Sequence, residues 1–125
     1  MQRPTQEHLI ELLKRWQGLL RLQDWDIDIN YDEIRAYHHG SVNWDTVSSR
    51  AVISLTDPLK YNKHDAIVDY NIEVSIIHEL VHIVLFIIDT SEFSGDSKDM
   101  YERGINKIAR LLYLLGGEKG SGGDL

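Results

Sequence analysis

One apolar stretch limits the folds open to this chain more than any other feature. Residues 75–89 read SIIHELVHIVLFIID, and two histidines and a glutamate interrupt the hydrocarbon side chains at one place. At 100° per residue, His78, Glu79 and His82 fall on one side of a helix, while isoleucine, leucine and valine cover the other. The longest uninterrupted apolar run, residues 83–88, is too short to cross a bilayer. The stretch therefore predicts a core helix with one narrow face for specific chemistry.

The rest of the chain predicts an α+β fold. Apolar residues recur at helical spacing after Thr5, and polar and apolar residues alternate strictly from Trp25 to Asp32. The predicted elements are a helix over residues 5–22, strands over 25–32, 34–44 and 50–56, a loop over 59–71, and helices over 72–88 and 97–116. We expect a bulge or turn near Gly40 and core positions for all three tryptophans.

Three sites carry signals for the ends of the helices. Thr5 and Asn71 are the expected caps of the first and central helices, and Asp96 or Ser97 is expected to cap the last helix, which ends at residues 116–117. At 125 residues, the chain predicts one domain over residues 1–117. After this domain, the Gly- and Ser-rich C-terminal residues 118–125 are expected to form a flexible tail.

The acidic balance of the chain bears on its partners. The formal net charge is −7 and the pI is near 5.2, so phosphate backbones and anionic lipids find no general basic surface. We therefore expect neither nucleic acid nor a membrane as a partner. Residues 1–16 carry several charges and lack the apolar core of a secretory signal, which predicts a cytoplasmic protein.

The three interrupting residues have the spacing of a metal site. The chain has no cysteine, so any metal must bind through histidine, aspartate or glutamate. Imidazoles at His78 and His82 can both direct a ring nitrogen at one point about 2.0–2.1 Å away, which suits Zn²⁺. Glu79 is placed to accept a proton from a water molecule that the ion activates. The pattern His-Glu-x-x-His thus predicts zinc chemistry with Glu79 as the general base.

A third ligand is expected from a second element packed against the central helix. In the last predicted helix, Glu102, Asn106 and Tyr113 form a stripe within about 40° of one another, beside an apolar face that carries Glu102 toward the core. Glu92 is an alternative ligand, because a loop residue ten positions past His82 can fold back. The run TSEFSGDS around Glu92 is, however, typical of a surface turn.

HELVH followed twenty residues later by Glu102 resembles the gluzincin branch of the zincin metallopeptidases. The resemblance runs in outline over residues 25–115 and implies a zincin-like fold, zinc bound by His78, His82 and Glu102, and a peptide or protein substrate. Gluzincins often carry an aspartate four residues past the glutamate ligand, hydrogen-bonded to the first histidine. Asn106 stands at that position, which implies that it orients His78 without adding a negative charge. In scale the chain is similar to small His-Glu-x-x-His proteins of phages and prophages.

The resemblance leaves two other functions open. The chain lacks the large second subdomain that usually completes a gluzincin cleft, so a catalytically weak or inactive zincin-fold binding or regulatory module of phage or prophage origin is the alternative. The motif can also be accidental in an α+β interaction domain.

The sequence predicts the substrate position and the transition-state donor of the expected cleft less specifically. A substrate backbone is expected to add along an exposed sheet edge above the central helix. Candidates for stabilising the transition state, among which the sequence does not select, are Tyr101, Tyr113, His38, His39 and His64.

Overall fold

The computed structural model describes residues 4–32, 39–58, 71–86 and 90–117. These residues form three helices and a three-stranded sheet, which confirms the predicted α+β class and the order of the elements. The elements are α1 (Gln6–Leu19), β1 (Asp26–Asp32), β2 (Gly40–Asp45), β3 (Arg50–Thr56), α2 (Ile72–Val84) and α3 (Asp96–Gly116). None of the described helices is long and apolar enough to cross a membrane.

The sheet has the order β1-β3-β2, so β2 is an edge strand although it lies between the other two in sequence. β1 runs parallel to β3, with Ile29 opposite Ile53, and β2 runs antiparallel to β3, with Val42 opposite Ile53. The side chain of Asp45 accepts hydrogen bonds from Val47 N and Ser48 Oγ, and these bonds close the turn between β2 and β3. Within the described residues, one backbone edge of β2 therefore pairs with no other strand.

The core lies between the sheet and the helices, and α2 is at its centre. Side chains with no exposed surface come from α1, β3 and α2, including Leu9, Ile53, Leu55, Ile76, Ile77, Leu80 and Ile83. A buried hydrogen bond of 2.6 Å from Trp16 Nε1 to Glu73 Oε2 ties α1 to α2. Because the apolar residues of α2 are packed in this core, the remaining face of the helix holds His78 and His82 in a fixed direction.

Four local expectations need correction or lie outside the described residues. The last helix is not capped by Asp96 or Ser97: its N-cap is Gly95 at a φ of 52°, and Ser97 Oγ instead donates to the carbonyl of Ser94. Trp44 is not a core residue, because the edge position of β2 leaves it 39% exposed. Helix α2 ends at Val84 rather than continuing to residue 88, and residues 87–89 are outside the described part. The predictions for residues 33–38, 59–70 and 118–125 are likewise outside it.

The cap of α2 gives a first testable prediction. Asn71 is extended (φ −122°, ψ 114°) and its Oδ1 accepts a hydrogen bond of 3.0 Å from Val74 N. We expect Asn71→Ala to lower the free energy of unfolding by about 1 kcal/mol, because the first turn of α2 loses a partner for one backbone N–H. Urea unfolding measures the change. Asn43→Ala, on the exposed edge strand, is the control and should stay within about 0.5 kcal/mol of the parent.

Candidate metal centre

Helix α2 presents the His-Glu-x-x-His residues on one face. The imidazole rings of His78 and His82 have centroids 5.0 Å apart, as expected for side chains one turn apart on a helix. Ligand atoms of His78, Glu79 and His82 all lie within 4.8 Å of one another. The predicted triad therefore forms a group that could bind a metal ion.

Glu102 reaches the same point from α3. Its Oε1 lies 3.2 Å from His78 Nε2 and 3.4 Å from His82 Nε2. The stripe predicted for α3 is thus turned toward α2, because Ile105 and Ala109 bury the adjoining face of the helix. A single carboxylate oxygen is shared between two imidazoles that lie 24 and 20 positions away in sequence.

The other residues predicted around the centre divide into two groups. Asn106 borders the same cavity as His78 and makes the smallest contribution to raising the pKa of His78. Glu92, the alternative ligand, is exposed and lines neither of the two cavities beside the histidines. The structure therefore brings Glu102 and Asn106, rather than Glu92, to the histidines.

The contacts of Glu102 determine its charge. Hydrogen bonds from His78 and His82 lower the pKa of Glu102 to about 2, against the smaller opposing effect of burial. Burial works to lower the pKa of His78, but the hydrogen bond to Glu102 and the nearby charges of Glu79 and Glu102 raise it above 6.5. Glu102 therefore keeps its negative charge throughout the pH range in which His78 changes its own.

Glu79 is in a different environment from Glu102. It is 6% exposed, and burial raises its pKa above 4.5, while the two histidines act in the opposite direction. The edge strand passes close above it: a Cβ added at Gly40 would lie 3.5 Å from Glu79 Oε2 and 3.0 Å from the carbonyl oxygen of Ser54. A side chain at Gly40 would therefore crowd Ser54 and Leu55 of β3 rather than Glu79, and Gly40 pairs in regular register with Leu55 instead of forming the expected bulge or turn.

Two cavities of about 530 and 540 Å³ meet at His78, Glu79 and Glu102, and Gly40 borders both. Each is within the roughly 300–1,000 Å³ of small-ligand sites. The first cavity is bordered by apolar and aromatic residues that include Val42, Trp44, Leu85, Phe86, Phe93 and Tyr101. The second cavity is bordered by polar residues that include His39, Ser75, Asp99, Arg103 and Asn106. Together the two cavities form a cleft with the candidate metal centre at its middle.

The sequence did not single out several of the residues that border the cleft. The ring of Tyr101, one of the five candidate donors, lies 5.7 Å from that of His82 and 5.6 Å from that of Phe93. His39 borders the second cavity, whereas Tyr113 packs against the core and His38 and His64 are outside the described residues. Phe93 belongs to a turn-rich segment with no periodicity, so no sequence signal pointed to it.

Comparison with known proteins does not assign a family to this fold and site: no protein-family model matches the chain, and neither a curated protein nor a solved structure matches it significantly.

Proposed function

We propose that this chain is a zinc-dependent metallopeptidase-like protein in which His78, His82 and Glu102 bind Zn²⁺ and Glu79 is the general base. The observation that carries the proposal is the single oxygen, Glu102 Oε1, within 3.4 Å of both imidazole Nε2 atoms. A carboxylate placed there supplies the third of the three protein ligands that catalytic zinc sites have.

The distances fit the size of a zinc site. In a tetrahedral site with bonds of about 2.0–2.1 Å, neighbouring ligand atoms are separated by about 3.3–3.4 Å. The separations of 3.2 and 3.4 Å between Glu102 Oε1 and the two Nε2 atoms are close to that length. Three ligands in this arrangement leave a fourth position for water or substrate, which distinguishes a catalytic site from a closed structural one.

Glu79 is suited to moving a proton rather than to binding the ion. Zn²⁺ supplies Lewis acidity that lowers the pKa of a coordinated water to about 7. The carboxylate of Glu79 is buried beside His78 and its raised pKa makes it a better proton acceptor than an exposed glutamate. It can take a proton from the attacking water and pass it to the leaving amine, while Tyr101 and the residues of β2 border the space for the substrate.

A peptide in an extended conformation suits the cleft best. β2 is an edge strand, and its residues Gly40, Ser41, Val42 and Trp44 border the first cavity directly beside His78 and Glu79. An added strand can take its backbone hydrogen bonds from the edge of β2 with which no described strand pairs. That position lays the scissile bond over Glu79, because Gly40 at the start of β2 borders the same cavity as Glu79.

Metal analysis and a peptide-cleavage assay test the proposal together. We expect the purified protein to bind one zinc ion and, when zinc-loaded, to cleave members of a mixed peptide library. A chain that binds no zinc would contradict the whole proposal. Zinc-dependent stability without cleavage would favour the zincin-fold binding or regulatory module, and melting unaffected by chelators would favour an accidental motif.

The raised pKa of His78 sets the pH at which zinc binding is expected to weaken. A histidine must lose its proton to bind zinc, and the pKa of His78 is above 6.5 in the metal-free protein. As the pH falls below that pKa, we expect zinc affinity to drop by at least about tenfold per pH unit, and the drop to begin at a higher pH than for an isolated imidazole. Competition with a chelator between about pH 5 and 8 measures it. An affinity that stays constant over this range would argue against histidine ligands.

A further inference from the structure

Helix α3 has a second apolar face on the side opposite the candidate metal centre. Among the described helices and strands, α3 packs along its length against α2, and its last residue, Gly116, accepts a hydrogen bond from Arg15 of α1. Its outward side chains recur at spacings of three and four residues, and they are Met100, Gly104, Ile108, Leu111 and Leu115. Met100, Leu111 and Leu115 are 70%, 55% and 83% exposed. A continuous exposed stripe of this kind, unlike scattered apolar residues, indicates a contact surface.

A concave surface lies along one side of the stripe. We call it the α3 groove, and its residues are Gly104, Leu111 and Leu114 with the basic side chains Arg103, Lys107 and Arg110. At 100° per residue, the three cations lie within about 60° of one another, on the same flank of the stripe. An added Cβ at Gly104 would meet nothing within 4 Å, so the floor of the groove is open.

The charge of the groove contrasts with that of the chain. Residues 103–117 contain three cations and no acidic residue, in a chain with 20 acidic residues against 13 lysines and arginines. A ligand that fits this surface therefore combines apolar side chains for Leu111 and Leu114 with negative charges for the basic flank. An amphipathic helix with acidic side chains along one flank has both features.

Two other occupants fit the charges less well. An antiparallel two-fold contact between copies of α3 brings Arg103, Lys107 and Arg110 of both copies to the same side of the seam, where they repel one another, and a parallel one places them against an apolar flank. An anionic membrane would meet a protein with a net charge of −7 and cations on only one side of the stripe. The acidic helix is attracted to the groove without either repulsion.

We propose that the α3 groove is a docking site for an amphipathic helix of a partner protein, with its acidic flank against Arg103, Lys107 and Arg110. Docking there needs neither a metal ion nor hydrolysis. Arg103 and Asn106 border both the groove and the second cavity, so a docked partner lies directly beside the cleft. The surface would hold a protein next to the candidate metal centre without occupying it.

Binding of two synthetic peptides to the full chain tests this proposal. The first is an amphipathic helix of about 18 residues with a leucine stripe and glutamates along one flank, and the second has lysines in place of the glutamates. By fluorescence anisotropy at low salt, we expect the parent to bind the glutamate peptide at least tenfold more tightly. Equal affinity for the two peptides, or binding of neither, would overturn the proposal.

Charge reversal distinguishes docking from general attraction. We expect the double variant Lys107→Glu/Arg110→Glu to reverse the preference, binding the lysine peptide more tightly, and Leu111→Ala to weaken glutamate-peptide binding about tenfold without changing the preference. Lys14→Glu, an exposed lysine on α1, is the matched control and should bind as the parent does. Circular dichroism checks that each variant is folded. A preference unchanged by the double reversal would contradict the assignment.

Two further measurements test the other candidate occupants of the stripe, a second copy of the chain and a lipid surface. Sedimentation equilibrium of the parent and of Leu111→Asp would overturn the proposal if the parent dimerises and the variant does not, because the stripe would then belong to a second copy. Co-sedimentation with phosphatidylserine vesicles, in the absence of binding to either peptide, would assign the surface to lipid and would also overturn it.

Discussion

We expect Glu79→Gln to keep its zinc and to lose about 10²–10⁴-fold in kcat for peptide cleavage, the range that positioned general-base catalysis contributes. Glutamine has the same shape but cannot accept the proton of the attacking water at neutral pH. Glu79 is the buried carboxylate that borders both cavities beside His78. Stopped assays with a cleaved library peptide, together with metal analysis of the same sample, measure both quantities.

The matched control for Glu79→Gln is the same substitution at Glu73. Both glutamates are on α2 and are 6% exposed, but Glu73 accepts a hydrogen bond from the Trp16 indole on the side away from the histidines. Glu73→Gln should therefore keep its activity when folded. Full turnover by Glu79→Gln would remove Glu79 from the reaction. Loss of zinc from Glu79→Gln would instead make Glu79 a ligand, since its carboxylate lies within 4.8 Å of both imidazole ligand atoms.

The second large effect is the expected loss of zinc affinity when a proposed zinc ligand is removed. We expect Glu102→Ala and His82→Ala each to weaken zinc binding by more than about 100-fold, because even the partners of metal ligands contribute about 10–100-fold. At zinc concentrations of about 100 times the dissociation constant, bound metal stabilises the parent by about 2.7 kcal/mol. Zinc should therefore raise the melting temperature of the parent and leave that of either variant almost unchanged. Calorimetric titration and thermal melts measure the two effects.

Glu92→Ala is the control for the ligand set, because the sequence left Glu92 and Glu102 as competing ligands. Glu92 is exposed and lines neither cavity, so Glu92→Ala should bind zinc as the parent does. If Glu92→Ala lost zinc while Glu102→Ala kept it, the proposed third ligand would be wrong.

Features that depend on neighbouring residues were predictable from the sequence. The caps at Thr5 and Asn71 were correct, since each side chain accepts a hydrogen bond from a backbone N–H three residues later in the chain. The alternation in β1 and the limits of β3 were also confirmed. The cap of α3 was missed because Gly95, in a conformation with positive φ that glycine adopts easily, begins that helix without a side-chain cap.

The spacing of His78 and His82 was settled by the sequence, because any α-helix places residues four apart on one face. The sequence could not decide whether Glu102 or Glu92 approaches those histidines, which strand forms the edge of the sheet, or that Trp44 borders a cleft. These depend on contacts between residues far apart in the chain. The packing of α3 on α2 through Ile105 and Ala109 brings Glu102 Oε1 to both imidazoles, and the central position of β3 puts β2 beside them. Helical periodicity determined which face of α2 carries His78, Glu79 and His82. Only tertiary packing decided that Glu102 and β2 lie opposite that face.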